Sequence, residues 1–256
     1  MKLPKNDLTL EKVLSGAMNL PVVNVRRDTF LRKELVKYCS EETAELAIRY
    51  NPARAGISKD IINRVSKSVI DYETTKVTAT SIVASLPSSA NMFVAVGSAT
   101  VDITTYFAFI LRTVQELAYL YGFNEFDFTD ENVDSETMNY VMLFLGTMFG
   151  VQGAATTLNK VADTLAAHIS KTLAQKALTK TAIYPVVKDI AAKIGIKMTK
   201  QIFADTVASA IPIAGSVVSG GLTFAMFRPG CMKLRKNLMG YNLCDPEFYR
   251  KQDLYL

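Results

Sequence analysis

One stretch of the chain, Thr100–Gly122, is long, apolar and helix-like, and yet it carries charged side chains. At roughly 100° per residue, Asp102, Thr105, Arg112 and Glu116 fall in one narrow stripe of the predicted helix. A helix that is apolar nearly all round lies either in a protein core or in a membrane. Its charged stripe must then be paired, hydrated or functional. We therefore expect this stretch to form the central helix of the fold, with the stripe as a polar seam.

Three uncharged runs, at 77–101, 137–159 and 206–227, each reach the ~20 residues that a membrane span requires. All three are rich in small and hydroxyl residues, which favours a protein core over lipid. Turn residues interrupt two of the runs: Pro87, Ser88 and Ser89 in the first, and Pro212 and Gly215 in the third. The sequence therefore predicts an all-α helical bundle with long apolar central helices and two Pro-broken apolar helical hairpins. A bundle that partly enters the bilayer and a multi-spanning integral membrane protein are the alternatives.

Glycine positions predict one helix end and one helix contact. Gly122 follows the central helix, where a left-handed residue commonly ends a helix. Gly146 and Gly150 have GxxxG spacing, which permits close contact between two helices.

At 256 residues the chain is long enough to bury a substantial core, and we predict a single helical domain over 1–256. In chain order, its predicted parts are N-terminal helices at 1–75, the first apolar hairpin and central helix at 76–122, a solvated acidic loop at 123–136 and a C-terminal helical half at 137–256.

Lysines concentrate after the acidic loop, in a predicted helical region with apolar residues beside them. The candidate membrane-docking residues are Lys171, Lys176, Lys180, Lys188, Lys193, Lys197 and Lys200. Lysines next to apolar residues attract anionic headgroups, while a solvated lysine face is the alternative. Because the N-terminal residues lack the continuous apolar run of a signal peptide, we expect the protein on the cytoplasmic side of a membrane.

The sequence contains none of the phosphate-binding, dinucleotide-binding, metalloprotease or serine-hydrolase motifs. It has one histidine, His168, and three scattered cysteines that we interpret as free thiols: Cys39, Cys231 and Cys244. No catalytic residue, metal site or cofactor is therefore predicted. Arginine is sparse among the lysines, which argues against nucleic-acid binding. For the polar seam, an Arg112–Glu116 helix salt bridge and a seam paired with Lys or Asp from another helix both remain open.

Several segments together resemble the EcsC family of bacterial proteins. They are LEKVLSGAMNLPVVNVRRDTFLRKEL (10–35), AGISKDIINRVSKSVIDYETTKVTATSIVASLPSS (55–89), VDITTYFAFILRTVQELAYLYG (101–122) and IPIAGSVVSGGLTFAMF (211–227). The family takes its name from a component of an operon that encodes an ABC transporter. The resemblance implies a bacterial, transporter- or envelope-linked context and no reaction. Many relatives have glycines after the first-hairpin proline, where this chain has Ser88 and Ser89.

The leading hypothesis is a non-enzymatic, peripherally membrane-associated protein that binds a membrane surface, lipid or a membrane protein. One alternative is a carrier or enzyme for lipid or a small apolar ligand, whose pocket ends at Asp102, Arg112 and Glu116. The other is a membrane-perturbing effector.

Overall fold

The computed structural model describes residues 10–84, 98–126, 128, 135–167 and 217–252. Within these ranges the chain forms nine α-helices, two 3₁₀ turns and no strand, so the all-α prediction is confirmed. The helices are α1 (Leu10–Met18), α2 (Arg27–Leu35), α3 (Glu41–Arg49), α4 (Lys59–Ala84), α5 (Ser98–Leu120), α6 (Ser135–Phe149), α7 (Ala154–Ala167), α8 (Val217–Leu238) and α9 (Pro246–Lys251). The 3₁₀ turns are Pro21–Val23 and Asn242–Cys244.

Helix α5 is the central helix, as the sequence predicts. Every residue from Phe107 to Phe123 is buried except Arg112, which is half-buried. The helix packs against α1, α2, α4, α6 and α8, so apolar neighbours surround it on nearly all sides. Burial by protein accounts for its nearly continuous apolar surface.

Glycines with positive φ end α5 and α6 in the same way. Gly122 has φ +93°, and the Phe123 amide bonds back to the carbonyl of Ala118 at 2.9 Å. Gly150 has φ +71°, and the Val151 amide bonds back to the carbonyl of Gly146 at 2.7 Å. Both ends are Schellman motifs, in which a left-handed residue satisfies the last helix carbonyls. The predicted helix end at Gly122 is confirmed.

The structure corrects the interpretation of Gly146 and Gly150 as a contact motif within one helix. Gly146 lies in α6, but Gly150 lies just beyond its last residue. The second uncharged run is accordingly split between α6 and α7. A left-handed backbone at Gly150 cannot continue the α-helix.

Replacing Gly122 with alanine is expected to lower the free energy of unfolding by about 2–3 kcal/mol. A Cβ at this position meets the backbone oxygen of Leu243 at 3.1 Å, in addition to the roughly 1 kcal/mol cost of left-handed backbone for alanine. Gly153→Ala is the matched control, because Gly153 has φ +84° and nothing lies within 4 Å of its added Cβ. Urea denaturation followed by circular dichroism measures both variants. Equal losses would show that the contact with Leu243 costs nothing.

Helix α4 is antiparallel to both α5 and α8. On α4, Glu73 contacts Arg112 of α5, whereas the earlier residue Ser66 contacts the later residue Tyr121. Likewise, Asp71 of α4 contacts Arg228 of α8, whereas the earlier residue Ser66 contacts the later residue Arg235.

Three helix ends consequently point to the same end of the bundle. Beyond these contacts, α4 continues to Ala84, α5 begins at Ser98 and α8 begins at Val217. The three extensions are each about 15–20 Å long at 1.5 Å per residue. They overlap the first and third uncharged runs, because residues 77–84, 98–101 and 217–227 of these runs lie in α4, α5 and α8. Helix α4 continues across residues 75 and 76, so the first run begins inside this helix.

The segment after α5 is less solvated than the predicted acidic loop. Asn124 and Glu125 are exposed, but Phe123, Phe126 and Phe128 are buried. The ring of Phe126 lies 5.7 Å from that of Phe144 in α6. Aromatic residues between the acids therefore hold this segment against the core.

A buried arginine, Arg27, joins two helix ends. Its guanidinium donates to the carbonyls of Ala47, Ile48 and Tyr50 at the end of α3, and to that of Phe123 after α5. These carbonyls have no partner within their own helix ends, where a positive charge is favourable.

None of the helices within the described ranges is long and apolar enough to cross a membrane.

Candidate functional site

A cluster of charged side chains lies between α4 and α5. Arg112 Nη2 lies 2.8 Å from an oxygen of Glu116, one turn further along α5. Arg112 Nε lies 3.1 Å from an oxygen of Glu73 on α4. The side chains of Glu73 and Glu116 are only 1% and 3% exposed, whereas Arg112 is 23% exposed. Two carboxylates thus share one guanidinium inside an apolar core.

Two further groups contact this cluster directly. The carbonyl of Val22 accepts a hydrogen bond from Arg112 Nη1 at 3.0 Å. Lys76 Nζ lies 3.3 Å from the same Glu73 oxygen that contacts Arg112, and its side chain is 37% exposed. Lys76 therefore extends the cluster towards solvent.

Each carboxylate keeps one oxygen unused. Oε2 of Glu73 and Oε2 of Glu116 are buried and have no hydrogen-bond partner in the part of the chain that the structure describes. Burial without a partner is costly for an ionised carboxylate. Burial, followed by the negative charge of Glu73, raises the pKa of Glu116 to about 8 against the opposing effect of Arg112. Burial lowers the pKa of Arg112, but the two carboxylates outweigh it and hold this pKa above its ordinary value.

The structure brings together two of the four predicted seam residues. The Arg112–Glu116 salt bridge is confirmed. The predicted partner from another helix was Lys or Asp, but the group of α4 that contacts Arg112 is a glutamate, Glu73. Thr105 is half-buried, roughly 10 Å along the axis from Arg112. Asp102 lies in α5, but its side chain is outside the described part.

Sequence reasoning missed Glu73, although α4 carries a signal for it. The buried positions Ile62, Ser66, Val69, Glu73 and Val77 recur at intervals of three and four residues. Glu73 therefore lies on the apolar stripe of an amphipathic helix. An acid on such a stripe predicts a buried partner of opposite charge.

A cleft of about 330 Å³ lies beside the cluster and does not include it. Its lining residues are Asn24, Val25, Arg26, Gln115, Glu125, Phe126 and Phe128. The Gln115 amide nitrogen already donates to the carbonyls of Val23 and Leu111, and its oxygen accepts from the Tyr119 hydroxyl. The side-chain amide of Gln115 is therefore already bonded by the protein itself.

The two buried cysteines, Cys231 and Cys244, are poor candidates for nucleophilic chemistry. All three cysteines are free, as predicted. Burial raises the pKa of Cys244 to about 12, and burial also raises the pKa of Cys231 well above its usual value. These two thiols are poor sources of thiolate at neutral pH. Among the described residues, no group of three or more His, Cys, Asp or Glu side chains could hold a metal ion.

Comparison with protein-family models, with curated proteins and with solved structures finds no match to this chain. The resemblance to the EcsC family therefore stays a prediction. The function of the chain must be argued from its own residues.

The remaining predicted site residues lie outside the described ranges. They are the docking lysines Lys171, Lys176, Lys180, Lys188, Lys193, Lys197 and Lys200, and the hairpin-turn residues Pro87, Ser88, Ser89, Pro212 and Gly215.

Proposed function

We propose that this chain is a non-enzymatic helical protein that binds an anionic membrane surface through one end of its bundle. The observation that carries the proposal is the common direction of three helix ends, at Ala84, Ser98 and Val217. All three ends lie within the two uncharged, proline-containing runs of the sequence. An apolar region concentrated at one end of a bundle suits attachment to a lipid surface.

The lysine-rich sequence between α7 and α8 supports the same proposal. It links the end of α7 to the start of α8, and its lysines are interspersed with apolar residues. Each basic residue near an anionic membrane surface contributes about 1 kcal/mol of binding. In the bacterial context that the EcsC resemblance implies, the surface would be the cytoplasmic face of the envelope, next to an ABC transporter.

The geometry of the charged cluster argues against a ligand pocket that ends at Arg112 and Glu116. Arg112 uses all three of its nitrogens on Val22, Glu73 and Glu116. The nearby cleft is lined by other residues, and its buried amide is already bonded. A ligand site of the predicted kind needs convergent polar groups that are free to bind, so we favour membrane attachment.

A vesicle flotation assay tests the proposal. With vesicles that contain anionic lipid, the protein is expected to float at low salt and to sink as salt screens the lysines. Lys171, Lys176 and Lys180 changed together to Glu should weaken binding by about a hundredfold or more, since roughly 1 kcal/mol is lost per lysine.

The matched control is the triple variant of Lys33, Lys67 and Lys236 to Glu. These lysines lie on α2, α4 and α8, outside the lysine-rich part of the sequence, and the variant makes the same change in net charge. It should float like the unmodified protein. The proposal is refuted if the unmodified protein stays at the bottom at low salt. If both variants lose vesicle binding equally, the binding is a non-specific effect of net charge. Dye release from the same vesicles would indicate a membrane-perturbing effector instead.

A further inference from the structure

We propose that Glu73 and Glu116 form a buried carboxyl–carboxylate pair that binds one proton between α4 and α5. The ligand of this site is the proton itself. The inference is independent of membrane attachment, because it rests only on the described contacts of the two helices.

The geometry at Arg112 carries the proposal. Glu73 contacts Nε and Glu116 contacts Nη2, and these two nitrogens form one edge of the guanidinium. In a bidentate ion pair, that edge holds the two oxygens of a single carboxylate. Here two separate carboxylates occupy it, so their negative charges are forced together in a nearly water-free site. Like-charged carboxylates that share a site do not both ionise at ordinary pH, and one of them keeps its proton.

The unused oxygens agree with this interpretation. Oε2 of Glu73 and Oε2 of Glu116 are buried without a described partner. A proton on one carboxyl group removes a buried charge and supplies a donor, whereas two ionised groups would leave two unsatisfied anionic oxygens.

The titratable and charged groups around Glu116 come from four helices. Arg112 lies on α5 itself, and α4 contributes Glu73 and Lys76. Glu34 of α2, Tyr119 of α5 and Cys231 of α8 also interact with it electrostatically. Two cations, Arg112 and Lys76, contact the two carboxyl groups, so the described cluster has no excess of positive charge. Burial, and then the negative charge of Glu73, raises the pKa of Glu116, which also favours a protonated carboxyl group in this pair.

The proton links pH to the stability of the fold. A carboxyl group that keeps its proton in the folded state, but loses it on unfolding, stabilises the protein at low pH and loses this effect as pH rises through the folded pKa. For Glu116 the window runs from its unfolded value, about 4.3, to about 8. Within that window the unfolding equilibrium constant should rise by up to about tenfold per pH unit.

Infrared difference spectroscopy of the full chain is the direct test. The unmodified protein should show the carbonyl stretch of a protonated carboxylic acid at neutral pH, and this band should disappear at higher pH. Glu116→Gln should lose the band. Glu73→Gln should lose it too, because Glu116 then has the edge of Arg112 to itself and ionises. If the band survives in Glu73→Gln, burial alone keeps Glu116 protonated. That result would overturn the proposal that the two carboxyl groups share one proton.

Glu45→Gln is the matched control, since Glu45 is an exposed partner of Arg32. It should keep the band. Urea unfolding between pH ~6 and pH ~8 supplies the second readout. The unfolding constant of Glu116→Gln should rise less steeply with pH than those of the unmodified protein and of Glu45→Gln. Parallel curves for all three proteins, or no band in the unmodified protein, would refute the proposal.

Discussion

Replacement of Arg112 by methionine is expected to lower the free energy of unfolding by about 3–5 kcal/mol near pH 8, as for other buried ion pairs that lose one partner. The substitution keeps an apolar stem of similar length and removes the guanidinium. Glu73 and Glu116, which are 1% and 3% exposed, then face each other without their shared cation. Lys76 cannot replace it, because its ammonium contacts the Glu73 side of the cluster and its side chain is 37% exposed.

The loss in Arg112→Met should shrink as pH falls to about 5, because both carboxyl groups can then be protonated and a neutral acid costs less to bury. Adding Glu73→Gln and Glu116→Gln to Arg112→Met should restore part of the stability at pH ~8 for the same reason. Urea denaturation at the two pH values measures each effect.

Arg32→Met is the control for Arg112→Met. Arg32 also contacts two glutamates, Glu41 and Glu45, but its side chain is 42% exposed. Exposed ion pairs contribute about 0–1 kcal/mol. Equal effects of the two substitutions would mean that burial of the Arg112 cluster has no energetic consequence, and that Glu73 and Glu116 do not depend on their shared cation.

Arg27→Met is expected to cause a similar loss of about 3–5 kcal/mol, for a different reason. Arg27 donates to four carbonyls at the ends of α3 and α5, and methionine would leave these acceptors buried without a donor. Burial lowers the pKa of Arg27, while the nearby Glu125 opposes this shift. Arg27→Lys should recover little, because an ammonium group cannot reproduce the planar fork that reaches both helix ends.

The adjacent residue provides the control for Arg27. The side chain of Arg26 is 76% exposed and pairs only with Asp28 among the described contacts. Arg26→Met should therefore change stability by less than about 1 kcal/mol. Thermal and urea unfolding compare the two variants directly, and a loss for Arg27→Met no larger than for Arg26→Met would contradict the capping role.

Much of the local structure was predictable from the chain. The helices follow from apolar residues at intervals of three and four, and the end of α5 follows from Gly122. The Arg112–Glu116 pair lies within one turn, so its contact also follows from helix geometry alone. Each of these features depends on residues within about four positions of each other, where backbone geometry decides which side chains meet.

The candidate site was only half predictable. Arg112 and Glu116 are visible as charges on an apolar helix. Their partner Glu73 is 39 residues from Arg112 in the sequence. No local sequence pattern predicts that α4 lies antiparallel to α5 in the register that joins these residues. The buried phenylalanines after α5 were likewise obscured by the acids between them.

By itself, therefore, the sequence determined an all-α fold, a central apolar helix and a charged pair that had to be neutralised inside it. The tertiary structure decided that the neutralising group is shared with a second carboxylate and that Arg27 joins the ends of α3 and α5. It also decided that the ends of α4, α5 and α8 that lie in two uncharged runs point in one direction. The physical reason is that periodicity records which face of a helix is buried, whereas packing between distant helices selects what that face meets.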